Sequence, residues 1–425
     1  MKIAFIIPDK EMMWDSVHQG VGYVAAYAKK NVPDINEIRV FRTYDKSLEQ
    51  LDKFLDYEWD VIGITLTTPA VKEAYAICES IRKFSQARIV VGGAEVMAIE
   101  EKIFEQLPLL DYAITGEGEK TFADLLLCLN DNGEPGGIDG LIYKDKNKVV
   151  RKNRLRRFTD DLGEFPWPDR TLFEYDYRFH SIIGTRGCPY HCTFCNSSAN
   201  WKHRYRLRPP ADVCAEIEQV VSLYGRGKYF AFNDDAFNIN KKWVVELCRQ
   251  IKPLNVHIWI RGMRAGLITK EVADSLRAAG CFGVAVGVES ADNTALKVMR
   301  KATNVEEIVR GVEILKASGI KNLIGQFIIG NQGDTLETVK KSIEFSKIFS
   351  EPTFGIAYPI PNTALYDYVE ENGYLLPERV PIKHKGKVID WILFDTPHFT
   401  VEERLQAVEL AIKAKVYHGI DYSAE

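Results

Sequence analysis

Three cysteines define the chemistry open to this chain. Cys188, Cys192 and Cys195 fall inside IIGTRGCPYHCTFCNSS (182–198), spaced C-x3-C-x2-C, with Phe194 directly before the last thiol. Iron–sulfur clusters are held by Cys thiolates, and a [4Fe-4S] cluster offers one iron at each of four corners. Three local thiolates leave one iron open to a ligand that is not protein. A structural zinc site is the competing reading, but such sites more often use CxxC pairs and a fourth Cys or His. His191 sits between two of the thiols with little chain to reach inward. Gly187 and Pro189 mark the stretch as a loop, and the apolar run at 181–184 ahead of it reads as a strand.

The elements that must hold this loop are βα units. Strands are expected at 181–184, 229–233, 257–261, 283–288, 322–329 and 353–358, with helices at 211–223, 242–251, 270–279, 305–318, 336–349 and 364–372. Six such units make a partial (β/α)6 barrel. Chemistry in barrels sits at the C-terminal strand ends, and the cysteines follow the first strand. The other strand ends are polar: Asn233-Asp234-Asp235, Arg261-Gly262, Gly287-Val288-Glu289-Ser290 and Gly330-Asn331-Gln332-Gly333-Asp334. A carboxylate at Glu289 suits an ammonium or a ribose hydroxyl. The fork of Arg261 suits a carboxylate. Helix capping is the competing use of Asp234, Asp235, Ser290 and Asp334, and the preferred one for Asp334.

The first third is expected to be a doubly wound α/β sheet. Apolar strands at 2–7, 37–42, 61–66, 88–91 and 112–114 alternate with helices at 17–30, 47–55 (capped by Ser47), 69–84, 99–106 and 120–129. Ligands of such sheets bind outside the carboxyl ends of the strands. Three ends carry small or flexible residues: Thr65-Leu66-Thr67-Thr68, Gly92-Gly93-Ala94 and Gly116-Glu117-Gly118. Ordinary loop chemistry explains any one of them. A glycine-rich loop at 131–140 leads to a hairpin at 141–150. The basic run Arg151, Lys152, Arg154, Arg156 and Arg157 reads as a solvated linker face. Residues 374–381 are expected as a loop and 401–417 as an amphipathic helix, a small helical C-terminal extension.

With 425 residues, 46% hydrophobic and 27% charged, the chain has the composition of an ordinary globular protein of two or three domains. A formal net charge of −4 gives no basic excess for nucleic acid. Eight cysteines, five of them scattered (Cys78, Cys128, Cys214, Cys248, Cys281), are too few for a disulfide framework and fit a reducing, cytoplasmic setting. The start lacks a signal pattern, and no apolar run approaches the ~18–20 residues of a membrane span.

The cysteine spacing with its aromatic resembles the signature of the radical SAM enzymes. FNDDAF, VGVES and FIIGNQGD resemble that family's second, fourth and fifth strand motifs, with Asn331-Gln332 where Leu-Pro is usual. HQGVGYVAAYAKK (18–30), RIVVGGAE (88–95) and DYAITGEGEKTFADLL (111–126) resemble the cobalamin-binding domain that precedes the barrel in one subgroup. The resemblance implies a [4Fe-4S] cluster on Cys188, Cys192 and Cys195, whose open iron is chelated by S-adenosylmethionine (SAM). It implies SAM contacts from Phe194, Asp235, Arg261, Glu289, Ser290 and Gly330, and cobalamin contacts from Thr65, Gly92, Gly93, Gly116, Glu117 and Gly118. It implies a division into 1–150, a 151–180 linker, the barrel at 181–372 and an extension at 373–425. Histidine-ligating cobalamin proteins carry D-x-H-x-x-G. Here Asp15-Ser16-Val17-His18-Gln19-Gly20 shifts the histidine by one residue, so His18 reads as a helix N-terminal residue. The leading expectation is a cobalamin-dependent methyltransferase acting on an unactivated carbon of a small molecule or lipid. It would be fed electrons by a carrier such as flavodoxin or ferredoxin. A non-methylating radical enzyme with the same domains and an iron–sulfur electron carrier are the alternatives.

Overall fold

The computed structural model describes residues 1–8, 17–43, 54, 57–173, 179–225 and 228–417. Asp15 and Ser16, and the expected helix at 47–55 apart from Phe54, lie outside them. The chain forms two compact units, Met1–Ser181 and Ile182–Glu425.

The first unit is built on a seven-stranded sheet. Its strands are β1 (Lys2–Ile7), β2 (Glu37–Arg42), β3 (Val61–Thr65), β4 (Arg88–Gly92), β5 (Tyr112–Ile114), β6 (Leu141–Lys144) and β7 (Val150–Lys152). Their order is β2-β1-β3-β4-β5-β6-β7. The first five are parallel, and the β6–β7 hairpin adds antiparallel to β5. Successive strand residues alternate faces, and both faces are apolar. Ile62, Ile64, Ile89 and Val91 pack with Cys78 and Ile81 of the helix Val71–Phe84. Val61, Val90, Ile3 and Phe5 pack with Val21 and Leu125 of the helices Gln19–Asn31 and Gly118–Asn130. A strand buried on both sides reads as an unbroken apolar run. The basic run after β7 stays on this unit: Arg154 pairs with Asp139 at 2.8 Å, and Arg156 pairs with Asp124.

The second unit carries the barrel. The short pair β9 (Thr185–Arg186) and β10 (Arg206–Leu207) forms a sheet of its own; the six strands of the main sheet are β8 (Phe179–Ile182, where the first unit passes into the second), β11 (Tyr229–Phe232), β12 (His257–Arg264), β13 (Cys281–Glu289), β14 (Asn322–Ile329) and β15 (Glu351–Ile356). They lie side by side in chain order, and every neighbouring pair from β11 to β15 is parallel. Apolar faces of Pro210–Tyr224, Lys241–Ile251, Lys270–Ala278, Val305–Ala317 and Leu336–Phe345 cover it.

The C-terminal extension differs from expectation. Residues 374–381 are not a loop. They begin β16 (Tyr374–His384), paired antiparallel with β17 (Lys387–Asp395). Pro377 and Pro381 were read as breakers, but a two-stranded ribbon leaves an edge where missing N–H groups cost nothing. The register slips between Leu375 and Val380, around Pro377. Lys385 (φ 50°) and Gly386 (φ 81°) form the tight turn. The helix Val401–Lys413 follows, opened by a Thr400–Glu403 capping box.

Candidate active site

The cysteine loop is anchored at both flanks. Gly187, just before Cys188, has φ +86°, and a Cβ there would lie 2.1 Å from the Arg204 carbonyl oxygen, so only glycine makes the turn. Cys188 is buried, Cys192 and Cys195 are half-buried, and none of the three is in a disulfide. Two carboxylates at the end of β11 receive the flanking backbone. Asp234 Oδ1 accepts the N–H groups of Gly184, at 3.0 Å, and of Thr185. Asp235 Oδ2 accepts Gly187 N–H at 3.0 Å, while its Oδ1 accepts the Ser197 hydroxyl at 2.6 Å. Helix capping, the alternative use for this pair, falls instead to Asn240. Burial pushes the Asp234 carboxyl up to about 7.

The middle of the loop is pinned as well. Thr193 donates its N–H to Met299 C=O (3.0 Å), and its carbonyl accepts Leu365 N–H (2.8 Å). Phe194 packs with Ala357, Leu365, Val369 and Phe394. The Arg264 guanidinium lies 3.4 Å over the Tyr190 ring and donates to Lys301 C=O. Asn238 fixes Arg264 by two backbone hydrogen bonds, of 2.9 and 3.0 Å. Among the described residues no three His, Cys, Asp or Glu side chains converge as a single ion requires.

Further strand ends frame this loop. Glu289 ends β13 with φ +69°, where the β13–β14 register slips after Gly287. A left-handed carboxylate residue costs about 1–2 kcal/mol and persists only where its surroundings impose it. Its carboxylate meets Lys301 Nζ at 2.5 Å, both side chains under one-tenth exposed. Sequence reasoning missed Lys301. It lies in a turn between two short helical patterns, and its partner is distant in sequence. Ser290 accepts Asp292 N–H at 3.3 Å, and Asp292, not Ser290, caps Asn293–Val298. Arg261 is half-buried within β12, short of that strand's end. Gly330 donates its N–H to Asp334 (3.0 Å), and its carbonyl accepts from Arg404 (3.2 Å). Asp334 also accepts Asn331 N–H, while Thr335 caps Leu336–Phe345. Burial pushes Asp334 up to about 7.

In the first unit the three strand ends, two of them bearing glycine, are level. Thr65 pairs with Gly92, and Gly92 with Ile114. Gly93 has φ +115°, and a Cβ there would fall 2.6 Å from Leu66 O, so its lack of a side chain serves the backbone. A Cβ on Gly92 would meet nothing closer than 3.9 Å, so a methyl group fits there without displacing the backbone. Gly116 precedes Glu117, whose carboxylate accepts Thr159 N–H (2.8 Å), and Gly118 starts the next helix. His18 caps Gln19–Asn31: its Nδ1 accepts Val21 N–H at 3.2 Å. The same ring's Nε2 lies 3.5 Å from the Thr65 hydroxyl.

A family described as the radical SAM superfamily matches residues 182–346, and a B12 binding domain matches 15–126. An "uncharacterized methyltransferase" of Pyrococcus horikoshii is 30% identical over 421 residues, covering 95% of this chain and 90% of that protein. The anaerobic magnesium-protoporphyrin IX monomethyl ester cyclase of Rubrivivax gelatinosus is 26% identical over 369 residues, covering 82% of this chain and 66% of its own length. The methyltransferase TsrM of Kitasatospora setae, solved with cobalamin and a [4Fe-4S] cluster, shares the fold with a TM-score of 0.78 at 18% identity, covering 100% of this chain and 92% of that one. A [4Fe-4S] cluster and SAM are the cofactors of the radical SAM fold, and cobalamin is that of the domain ahead of it. Two domains matched in this order, with a relative similar along nearly the whole length, place the chain in the radical SAM superfamily, among members that carry a B12-binding domain.

Proposed function

We propose that this chain is a cobalamin-dependent radical SAM methyltransferase that methylates an unactivated carbon of a small-molecule or lipid substrate. One observation carries the reading. A single chain builds an anchored three-cysteine loop at the C-terminal ends of one parallel sheet, and level strand ends, two of them bearing glycine, on another. Cys188, Cys192 and Cys195 hold the cluster. Glu289, Ser290, Arg261 and Gly330 bound the SAM side with Phe194, and Asp235 positions the loop. Thr65, Gly92, Gly93, Gly116, Glu117 and Gly118 bound the cobalamin side. The functional division runs 1–150 for cobalamin, 151–180 joining, 181–372 for radical chemistry and 373–425 as an extension. When bound, the cluster supplies the electron that cleaves SAM to a 5′-deoxyadenosyl radical, and cobalamin carries the methyl group. The chain's own part is to fix the thiols, neutralise charge and exclude water. A reducing, cytoplasmic setting and a small electron-carrier protein as donor complete the reading.

The test is anaerobic purification with added hydroxocobalamin, then reduction with SAM. Near-stoichiometric corrin retention, with both 5′-deoxyadenosine and S-adenosylhomocysteine formed, is expected. The similarity to a cyclase favours one second reading, a radical reaction without methylation. 5′-Deoxyadenosine without S-adenosylhomocysteine selects it. No SAM cleavage at all leaves an electron carrier.

A further inference from the structure

The thiol loop lies between two basic segments, 201–204 and 299–302, and Tyr190 is tied to both. Its carbonyl accepts His203 Nδ1–H at 3.1 Å, and its ring lies 3.4 Å from the Arg264 guanidinium, which donates to Lys301 C=O. The rings of His191 and His203 stack with centroids 3.7 Å apart, and Thr193 N–H is bound by Met299 C=O. Both segments are held in costly backbone geometry. Lys202 (φ 51°), His203 (φ 55°), Arg300 (φ 52°) and Ala302 (φ 53°) are left-handed without being glycine. His191, Lys202, His203, Lys297 and Arg300 are left exposed around the loop. Exposed cations elsewhere on this unit are paired: Arg249, Lys270, Lys340 and Lys347 each meet a carboxylate about one helical turn away. Among the described residues Lys202, Lys297 and Arg300 form no ion pair. Three unneutralised cations thus gather beside the thiols of a chain whose formal net charge is −4. Acids sit on the helix Ala364–Asn372, whose Leu365 N–H binds the other backbone group of Thr193; Asp367 and Glu370 are exposed there.

We propose that this basic rim is the docking surface of a small acidic electron-carrier protein. The inference rests on the proposed function and deepens it by placing the donor. A patch of one sign steers a partner of the other sign and fixes its orientation. The acids beyond Thr193 repel the same partner, which confines it to the basic side. His191 lies between two of the thiols in the chain, so a carrier seated on the rim faces the cysteine loop itself. One electron leaves the carrier's reduced flavin or iron–sulfur centre, which is oxidised, and enters the cluster, which is reduced; no atom is transferred.

The test uses reconstituted full-length protein and a flavodoxin. Binding of oxidised flavodoxin is measured by calorimetry, and reduction of the cluster by hydroquinone flavodoxin is followed by loss of visible absorbance. In K202E/R300E the Kd rises and the reduction rate constant falls, each by about tenfold or more at low salt, and both differences shrink toward about 0.5 M salt. K202E alone gives an intermediate loss. K383E/K385E makes the same change of charge at the exposed turn of the β16–β17 ribbon and stays within about twofold of wild type. Reduction by dithionite, which needs no docking, is the same in all variants. Iron content and circular dichroism confirm that each is loaded and folded. If K202E/R300E matches wild type, or K383E/K385E loses as much, the carrier has no seat on this rim and the inference is overturned. If dithionite reduction slows equally in K202E/R300E, the cations serve the loop rather than a partner, and the inference is again overturned while the radical SAM reading stands. Absence of SAM cleavage by the dithionite-reduced wild type defeats that reading instead, and the binding data still decide the surface.

Discussion

Replacing Asp235 by alanine removes the carboxylate that ties the two flanks of the cysteine loop. Gly187 N–H then loses its acceptor inside a buried turn, and the Ser197 hydroxyl loses its partner. A hydrogen bond to a charged group contributes roughly 1.5–3 kcal/mol, and an orphaned buried donor adds its desolvation penalty. The Ser197 bond is reached by solvent and counts at the low end. About 2 kcal/mol of loop order is therefore lost, which lowers the ratio of closed to open loop about thirtyfold. The rest of the barrel is untouched, because Asp234 still holds Gly184 and Thr185. The assay is iron release from reconstituted D235A to a ferrous chelator under anaerobic conditions, followed by the cluster's visible absorbance. Release at least tenfold faster than wild type is expected, with S197A only a few-fold faster. Unchanged release at unchanged iron content would refute the claim that this carboxylate holds the thiols in place.

Alanine at Cys188, Cys192 or Cys195 abolishes cluster assembly. Alanine at Cys78 or Cys281, buried thiols pushed up to about 12, leaves iron and sulfide content unchanged. Cluster retained by a variant of the first set contradicts the assignment. Asp234 and Asp334 are raised by burial from 3.8 to about 7, so the folded chain holds protons that the unfolded chain releases. Stability is greatest below about pH 4 for each group and falls by up to about 4 kcal/mol as pH rises to about 7. D234N keeps an acceptor for Gly184 and Thr185 and flattens that slope in urea melts between about pH 5 and 7.5; a slope identical to wild type rejects the burial argument. G93A lowers the melting temperature and releases corrin, because its Cβ meets the Leu66 backbone at a positive φ, whereas G92A costs about 0.5 kcal/mol or less. Equal melting temperatures for the two variants would show that the backbone contact is not what requires glycine.

The order and type of most elements were legible because their signals are local. Continuous apolar runs such as 88–91 gave parallel strands, and the spacing of Cys188, Cys192 and Cys195 is a property of eight consecutive residues. His18 read correctly as a helix-start residue for the same reason. The ribbon at 374–395 was missed because its prolines signal a break locally, while its strand character depends on a partner across a turn. Asp234, Asp235 and Asp334 were harder still. An acidic residue after a strand looks like a helix cap, and only the folded chain shows Asp234 and Asp235 bound to another loop's backbone and Asp334 to the backbone of its own. Lys301 had no signal at all. Its role depends on Glu289 twelve residues earlier and on the thiol loop more than a hundred residues away, contacts that exist only once six strands lie side by side. Sequence specified the thiol loop and the parallel strands of both sheets, because those choices are written in neighbouring residues. Tertiary structure decided which charges meet, because burial and pairing belong to the assembled sheet.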